Sequence, residues 1–498
     1  MSGSDAAPSR DDRGVALLSE GLGGSAGHHG RTRWWSPLLV AAVLAGLAVL
    51  AGLLARHGCP DPDTWTDVDA SASAPCFSSL PASYVGSGGA EGLWPYGDAF
   101  GGEDDAGTRY DVGPGHALAG ATYLRAGLAD LVAPHDAATL DARALRPVGD
   151  LPTEDGVAGE ARSLLVVTAA VVGAAALALV VAVARHRRRR PWDGALVAVA
   201  PVLLIGALVD VALVGVALAV GGLLACRRGR SVVGGLMLGA ATTLAWSPWL
   251  VVLAVLLSAV TGDRSRLLPA AQTGLVAVTT WLVVSLPAIV TGPSRWRAGW
   301  AAALDADARP GSLRYVVEQA TGGLPSYAAV ALVVLVLWAG AMLALVRLAP
   351  RPPRTEQVAL LLVAVGVVLL GSGPEHALLL LPLAVLARPR LGALALWQTT
   401  EVVAALVVWW TVAGYLRSGS EDVEGPLVVV TLVRLAAIVA LVALVVREVA
   451  MPSFDPVRRD ALDDPGYGAY GPPPVRPVPP ASAAQGQETT TRSNDVAV

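Results

Sequence analysis

Apolar runs of roughly 15 to 25 residues follow one another from about residue 36 to residue 446, with short polar stretches between them. Runs of that length predict helices that cross a bilayer, whose core takes about 20 residues. Single spans are expected at about 36–56, 163–184, 270–291, 326–347, 391–416 and 427–446. Three further runs, 194–226, 232–261 and 357–388, are too long for one span and slightly short for two. The first lies between the arginine clusters "RHRRRR" and "CRRGR", and arginine beside a span is held on the cytoplasmic side. It is therefore expected to form two short helices meeting near the outer leaflet, with Asp210 at the tip. One long tilted helix would instead strand an arginine cluster outside and leave Asp210 isolated in lipid, which is costly. The second run breaks at Ser247-Pro248 and the third at "GSGPEH", so each predicts a similar outward elbow. Together the runs give an all-α, polytopic integral membrane protein of about 12 spans, with N- and C-termini cytoplasmic.

The polar segments complete the plan. Residues 1–33 and 451–498 lack a hydrophobic pattern and read as disordered cytoplasmic tails, the second rich in proline. The membrane domain is expected over 34–450, with 57–162 as a long external first loop and 292–325 as a second. Within the first loop, 116–133 has apolar residues at helical spacing broken by Arg125 and Asp130. That pattern predicts an amphipathic helix on the outer leaflet. Irregular backbone at membrane depth is tolerated where it lines a cavity, so three outward elbows imply a cavity roofed by the first loop.

Composition sharpens this. Of 498 residues, 54% are hydrophobic and only 15% charged, and the mean hydropathy is +0.56. The chain contains no lysine, which excludes a Walker-type phosphate loop, and it has no HExxH, CxxC or GxSxG. No cofactor or metal site is expected. The arginine clusters abut spans, so topology explains them and nucleic acid does not; membrane lipids are the expected surroundings. Cys59 and Cys76 both fall in the first external loop and are candidates for a disulfide, whereas Cys226 at the inner face should stay reduced.

Candidate chemistry collects on the outer side. Sugar transfer to a hydroxyl needs a carboxylate as base and cationic groups for the phosphate of a lipid-linked donor. Asp111 and Asp210 are candidate bases, and Arg295, Arg297 and Arg314 in the second loop are candidate phosphate ligands. For any single one of these, the commoner role of such a residue is an ordinary solvated loop charge. His116 and His376 stand without metal-ligand spacing, and His376, beside Glu375, lies on the third elbow facing the expected cavity.

Several strings, in this order along the chain, carry a resemblance. They are "APCFSSLPASYV" and "GLWPYGD" in the first loop, "RPWDGALVAVAPVLLIGAL" entering the first hairpin, "SPW", "GSLRYVVEQ" and "LLLLPLAVLARPRLGALALWQTTEV". From about Trp34 to Arg447 the chain resembles the actinobacterial GT-C membrane glycosyltransferases of family 87, the polyprenyl-phosphate-mannose-dependent mannosyltransferase type. The resemblance implies a GT-C-like fold and a polyprenyl-phosphate sugar donor. It also implies a cell-envelope glycan or glycolipid acceptor at the plasma membrane. The polar positions depart from the family: Ser79 stands where relatives carry an acid, and Asp210-Val211-Ala212 stands where they carry N-W-D. Both tip lysines are gone, while Pro248 and Pro374 remain. Two readings follow: an active site rebuilt from Asp111, Asp210, Glu375 and His376, or a non-catalytic relative that binds a lipid-linked sugar or a partner enzyme. A lipid or glycan transporter is a third class, since it too would use broken helices around a central site.

Overall fold

The computed structural model describes residues 36–56, 78–101, 108–187, 190–260, 264–305, 308, 311–323, 326–371, 374–412 and 425–457. The tail 1–33, the candidate disulfide pair Cys59 and Cys76, and the chain beyond 457 lie outside the described residues. What is described is almost entirely helical.

The chain begins with α1 (Pro37–Arg56) and then builds a cap. The cap contains α2 (Leu80–Gly86), the short parallel strands β1 (Phe100–Gly101) and β2 (Tyr110–Asp111), α3 (Ala119–Asp130) and α4 (Ala137–Ala144). Next comes α5 (Val157–His186), whose 30 residues rise roughly 45 Å. That exceeds the ~30 Å hydrocarbon core of a bilayer, and the surplus enters the cap. Val157, Ala161 and Leu164 share a buried cluster there with Tyr84, Leu128 and Leu151.

Beyond α5 the helices run to and fro. They are α6 (Asp193–Ala198), α7 (Pro201–Gly206), α8 (Ala212–Arg227), α9 (Ser231–Leu244), α10 (Pro248–Ala259) and α11 (Leu267–Thr291). The former second loop contributes α12 (Pro293–Asp305) and α13 (Leu313–Thr321), followed by α14 (Tyr327–Leu348). The last four are α15 (Thr355–Leu370), α16 (Pro374–Ala387), α17 (Leu391–Val412) and α18 (Gly425–Ala450). Six of them (α1, α5, α11, α14, α17 and α18) are long and apolar enough to cross a membrane, and α8, α9, α10, α15 and α16 are shorter and apolar. This is an all-α membrane protein.

A helix apolar on every side belongs in a core, and α15 and α16 are such helices. Leu360, Leu361, Leu380 and Leu381 are all buried at their centre. On the periphery, Leu54 of α1, Leu275 of α11 and Leu337 of α14 stay exposed, as lipid-facing positions should. Small residues let backbones approach without a hydrophobic drive between helices. A Cβ added at Gly239 on α9 would lie 2.4 Å from the Ala277 carbonyl of α11.

The end far from the cap is closed by ion pairs. Arg354, just ahead of α15, donates to the carbonyls of Leu386 (3.0 Å) and Ala387 (2.7 Å) in the last turn of α16. It also pairs with Asp455 at 3.1 Å. Arg187 donates to the Leu386 carbonyl as well, Arg388 pairs with Glu448 at 2.7 Å, and His186 bonds Glu356. Much of the arginine read as a topology marker thus also caps a helix C-terminus, where cations are favoured, or sits in a buried pair.

Two boundaries are corrected. Residues 451–457 belong to the folded body, because Asp455 is 1% exposed and bound to Arg354. The helix expected over 116–133 forms as a 3-10 turn, Pro114–Ala117, followed by α3. One face of it packs into the protein against α9 and α11, with Ala119 and Ala121 buried.

Candidate functional site

The first elbow is the unwound stretch between α7 and α8, and its carbonyls need donors because lipid offers none. Three side chains supply them. Arg56, at the end of α1, donates to the Ile205 carbonyl at 2.6 Å. Ser78 and Ser79 donate to the carbonyls of Leu208 and Val209, each at 2.8 Å. Ser79 and Ser78 therefore dock the cap onto the elbow.

Asp210 sits on this elbow, as its position between two short apolar runs predicted. It is not a free carboxylate. Oδ2 accepts from Arg125 Nη2 at 2.7 Å, and Oδ1 accepts from Arg125 Nε at 2.9 Å and from the Val211 amide at 2.7 Å. Arg125 belongs to α3, which two contacts hold over the elbow. Gly120 lies so close to α9 that a Cβ there would be 2.2 Å from Thr243 Oγ1. Tyr123 Oη accepts from the Ala288 amide of α11 at 2.7 Å, next to Pro287 within that helix. Arg125 also lines a small cleft with Ser83, Tyr84, Ser87 and Thr168.

The other two elbows meet the first. Between α9 and α10 the chain is extended at Ala245, and the Trp246 ring centroid lies 6.4 Å from that of His376. His376 Nδ1 is 3.2 Å from Glu375 Oε1 at the start of α16. That helix packs on α7 and α8, which brings the Asp210 charge within electrostatic range of Glu375. Asp210, Arg125, Trp246, Glu375 and His376 thus form one constellation at the cap end. Among the described residues no cluster of three or more His, Cys, Asp or Glu could hold a metal ion.

The remaining expected residues lie apart from it or do other work. Asp111 is exposed on β2 in the cap. Arg295 staples α12 to the cap: it donates to the Phe100 carbonyl at 2.8 Å and to Asp98 at 2.7 Å. Arg297 is exposed and bonds the Pro293 carbonyl of its own helix at 3.2 Å. Arg314 pairs with Glu318 at 2.8 Å and lies 5.8 Å from the Tyr327 ring centroid. Tyr327 donates to the Leu369 carbonyl at 2.8 Å, so this group borders the third elbow.

The cap holds its shape through a network that sequence reasoning passed over. Arg143 donates to the Ala90 carbonyl at 2.8 Å and to both Glu160 oxygens at 2.9 Å. Glu91 accepts from Arg109 at 2.5 Å and from Tyr110 at 2.7 Å. Burial, reinforced by the Glu91 carboxylate, pushes the Tyr110 phenol above its ordinary range. Burial also lowers the His116 imidazole below its ordinary 6.5, which keeps it neutral beneath Tyr96. A second overlooked group is the buried pair Glu401–Arg434, 2.8 Å, joining α17 and α18. Its signal was available: an acid and an arginine inside apolar spans call for a partner.

No family model matches the chain, and no match was found among curated proteins or solved structures.

Proposed function

We propose that the chain is a GT-C-like glycosyltransferase of the plasma membrane. It spans the bilayer about 12 times with both termini cytoplasmic. It transfers a mannose-like sugar from a polyprenyl-phosphate donor to a cell-envelope glycan or glycolipid on the outer face. One observation supports this above the rest: three broken helical hairpins bring their elbows together, the cap docks on the first, and acids and a cation stand where they meet. A lipid-linked sugar needs that arrangement, with an apolar flank for its chain and polar groups for its phosphate and sugar. A second reading, binding of a lipid-linked sugar without turnover, draws on the Arg125 pair that occupies both oxygens of Asp210.

The test uses the full chain in proteoliposomes with a radiolabelled polyprenyl-phosphate mannose and a membrane glycolipid extract as acceptor. Label moving into the glycolipid fraction is expected. Saturable donor binding without transfer selects the second reading, and the absence of both overturns the proposal.

A further inference from the structure

We propose that Glu375, paired with His376, is the proton-accepting carboxylate of this site, and that Asp210 is a positioning residue that holds Arg125. The inference rests on the sugar-transfer reading. Both candidate bases drawn from the sequence fall short on geometry. Asp111 is exposed on β2 in the cap. Asp210 is saturated: three donors within 2.9 Å occupy its two oxygens. Protonating it would break a bidentate charge-assisted pair, which is among the strongest hydrogen-bonding arrangements available to a carboxylate.

Glu375 is placed differently. Its side chain pairs with His376 Nδ1 at 3.2 Å and keeps 20% of its surface exposed. It is therefore reachable without being bulk-solvated. It begins α16 on the third elbow, with Trp246 of the second elbow beside His376 and the first elbow within electrostatic range. Arg125 takes both oxygens of Asp210, whereas the His376 pair engages one oxygen of Glu375.

In the reaction the acceptor hydroxyl oxygen bonds the anomeric carbon, and the bond from that carbon to the phosphate oxygen breaks. Polyprenyl phosphate leaves with the electron pair. The hydroxyl proton moves to the Glu375 carboxylate and is passed to His376 and then to water. Arg125 uses Nε and Nη2 on Asp210, and its remaining Nη1 is the cation for the departing phosphate. Asp210 acts through Arg125, by fixing the plane of its guanidinium.

The test uses the same proteoliposomes and the same radiolabelled polyprenyl-phosphate mannose. Glu375→Gln should lower kcat by roughly 100-fold to 10,000-fold, the usual contribution of a general base, with donor KM within about twofold of the parent. Asp210→Asn should instead raise donor KM by about tenfold and change kcat less, and Arg125→Lys should do the same because lysine cannot form the bidentate pair. Donor binding by Glu375→Gln reports that the variant is folded; if it is lost, Glu375→Asp takes its place and should keep binding with a kcat reduced at least tenfold. The proposal is overturned if both Glu375 variants keep more than a tenth of parental kcat. It is equally overturned if Asp210→Asn loses kcat at unchanged KM. Failure of the parent protein to transfer label would count against sugar transfer itself, and so is distinguishable from failure of the Glu375 assignment.

Discussion

Arg143 has 1% of its surface exposed and carries the cap on its guanidinium. It joins α4 to the turn at Ala90 and, through Glu160, to the first turns of α5. Tyr84 donates to the same carboxylate at 2.7 Å. Removing one member of such a buried pair leaves an uncompensated charge and costs about 3–5 kcal/mol. Arg143→Met is therefore expected to lower the thermal midpoint of the detergent-solubilised protein clearly. Combining it with Glu160→Gln should cost less than the two single effects added together. His116 gives a pH test in the same layer. Its folded value lies below the ordinary 6.5, so between the two values the unfolded chain binds a proton that the folded one does not. The stability it contributes is complete above about pH 6.5 and is lost as pH falls toward the folded value. Thermal unfolding between pH 7.5 and 5 should show that loss, and His116→Gln should flatten it. None of these partnerships was legible in the sequence. Arg125 and Asp210 are 85 residues apart, His186 and Glu356 are 170 apart, and periodicity says nothing about pairs at that range.

At the scale of elements the sequence was far more explicit. Apolar length located the long helices, and the conflict between length and flanking arginine located the elbows. Asp210 lies on the first, Ser247 leads into α10 on the second, and Glu375 opens α16 on the third. Run length failed where it could not see a neighbour. The amphipathic pattern of 116–133 fits a lipid surface and a protein surface equally well, and the close approach of Gly120 to Thr243 decided for protein. The segment 292–325, read only as a loop, contains α12 and α13 because their modest apolar faces pack on the cap and on α18. The seam between α9 and α11 offers a direct test. Gly235 and Gly239 stand one turn apart on α9, each within 2.7 Å, measured from an added Cβ, of a carbonyl on α11. Gly239→Val forces those backbones apart, and overpacking of this kind costs about 1–3 kcal/mol. A lower thermal midpoint is expected, whereas Gly340→Val on α14, where an added Cβ meets nothing within 4 Å, should leave it unchanged.

The whole molecule has two unlike ends. At one, cap segments dock on the first elbow and pack beside the second. At the other, arginines and acids from α5, α15, α16 and α18 lock the helices together, with Asp455 drawn in from the chain beyond α18. The sugar-transfer proposal puts its chemistry at the cap end and, by the arginine rule, the far end in the cytoplasm, so sidedness tests it. Leu145, just after α4 in the cap, is 88% exposed, and Leu348, ending α14 at the far end, is 82% exposed. Both can carry a reporter thiol without disturbing a packed core. In a background with Cys59, Cys76 and Cys226 changed to serine, a membrane-impermeant maleimide should label Leu145→Cys in intact cells. Leu348→Cys should react only after permeabilisation. The opposite pattern would place the three elbows on the cytoplasmic side, where a cell-envelope acceptor cannot reach them, and sugar transfer at the outer face would fall with it.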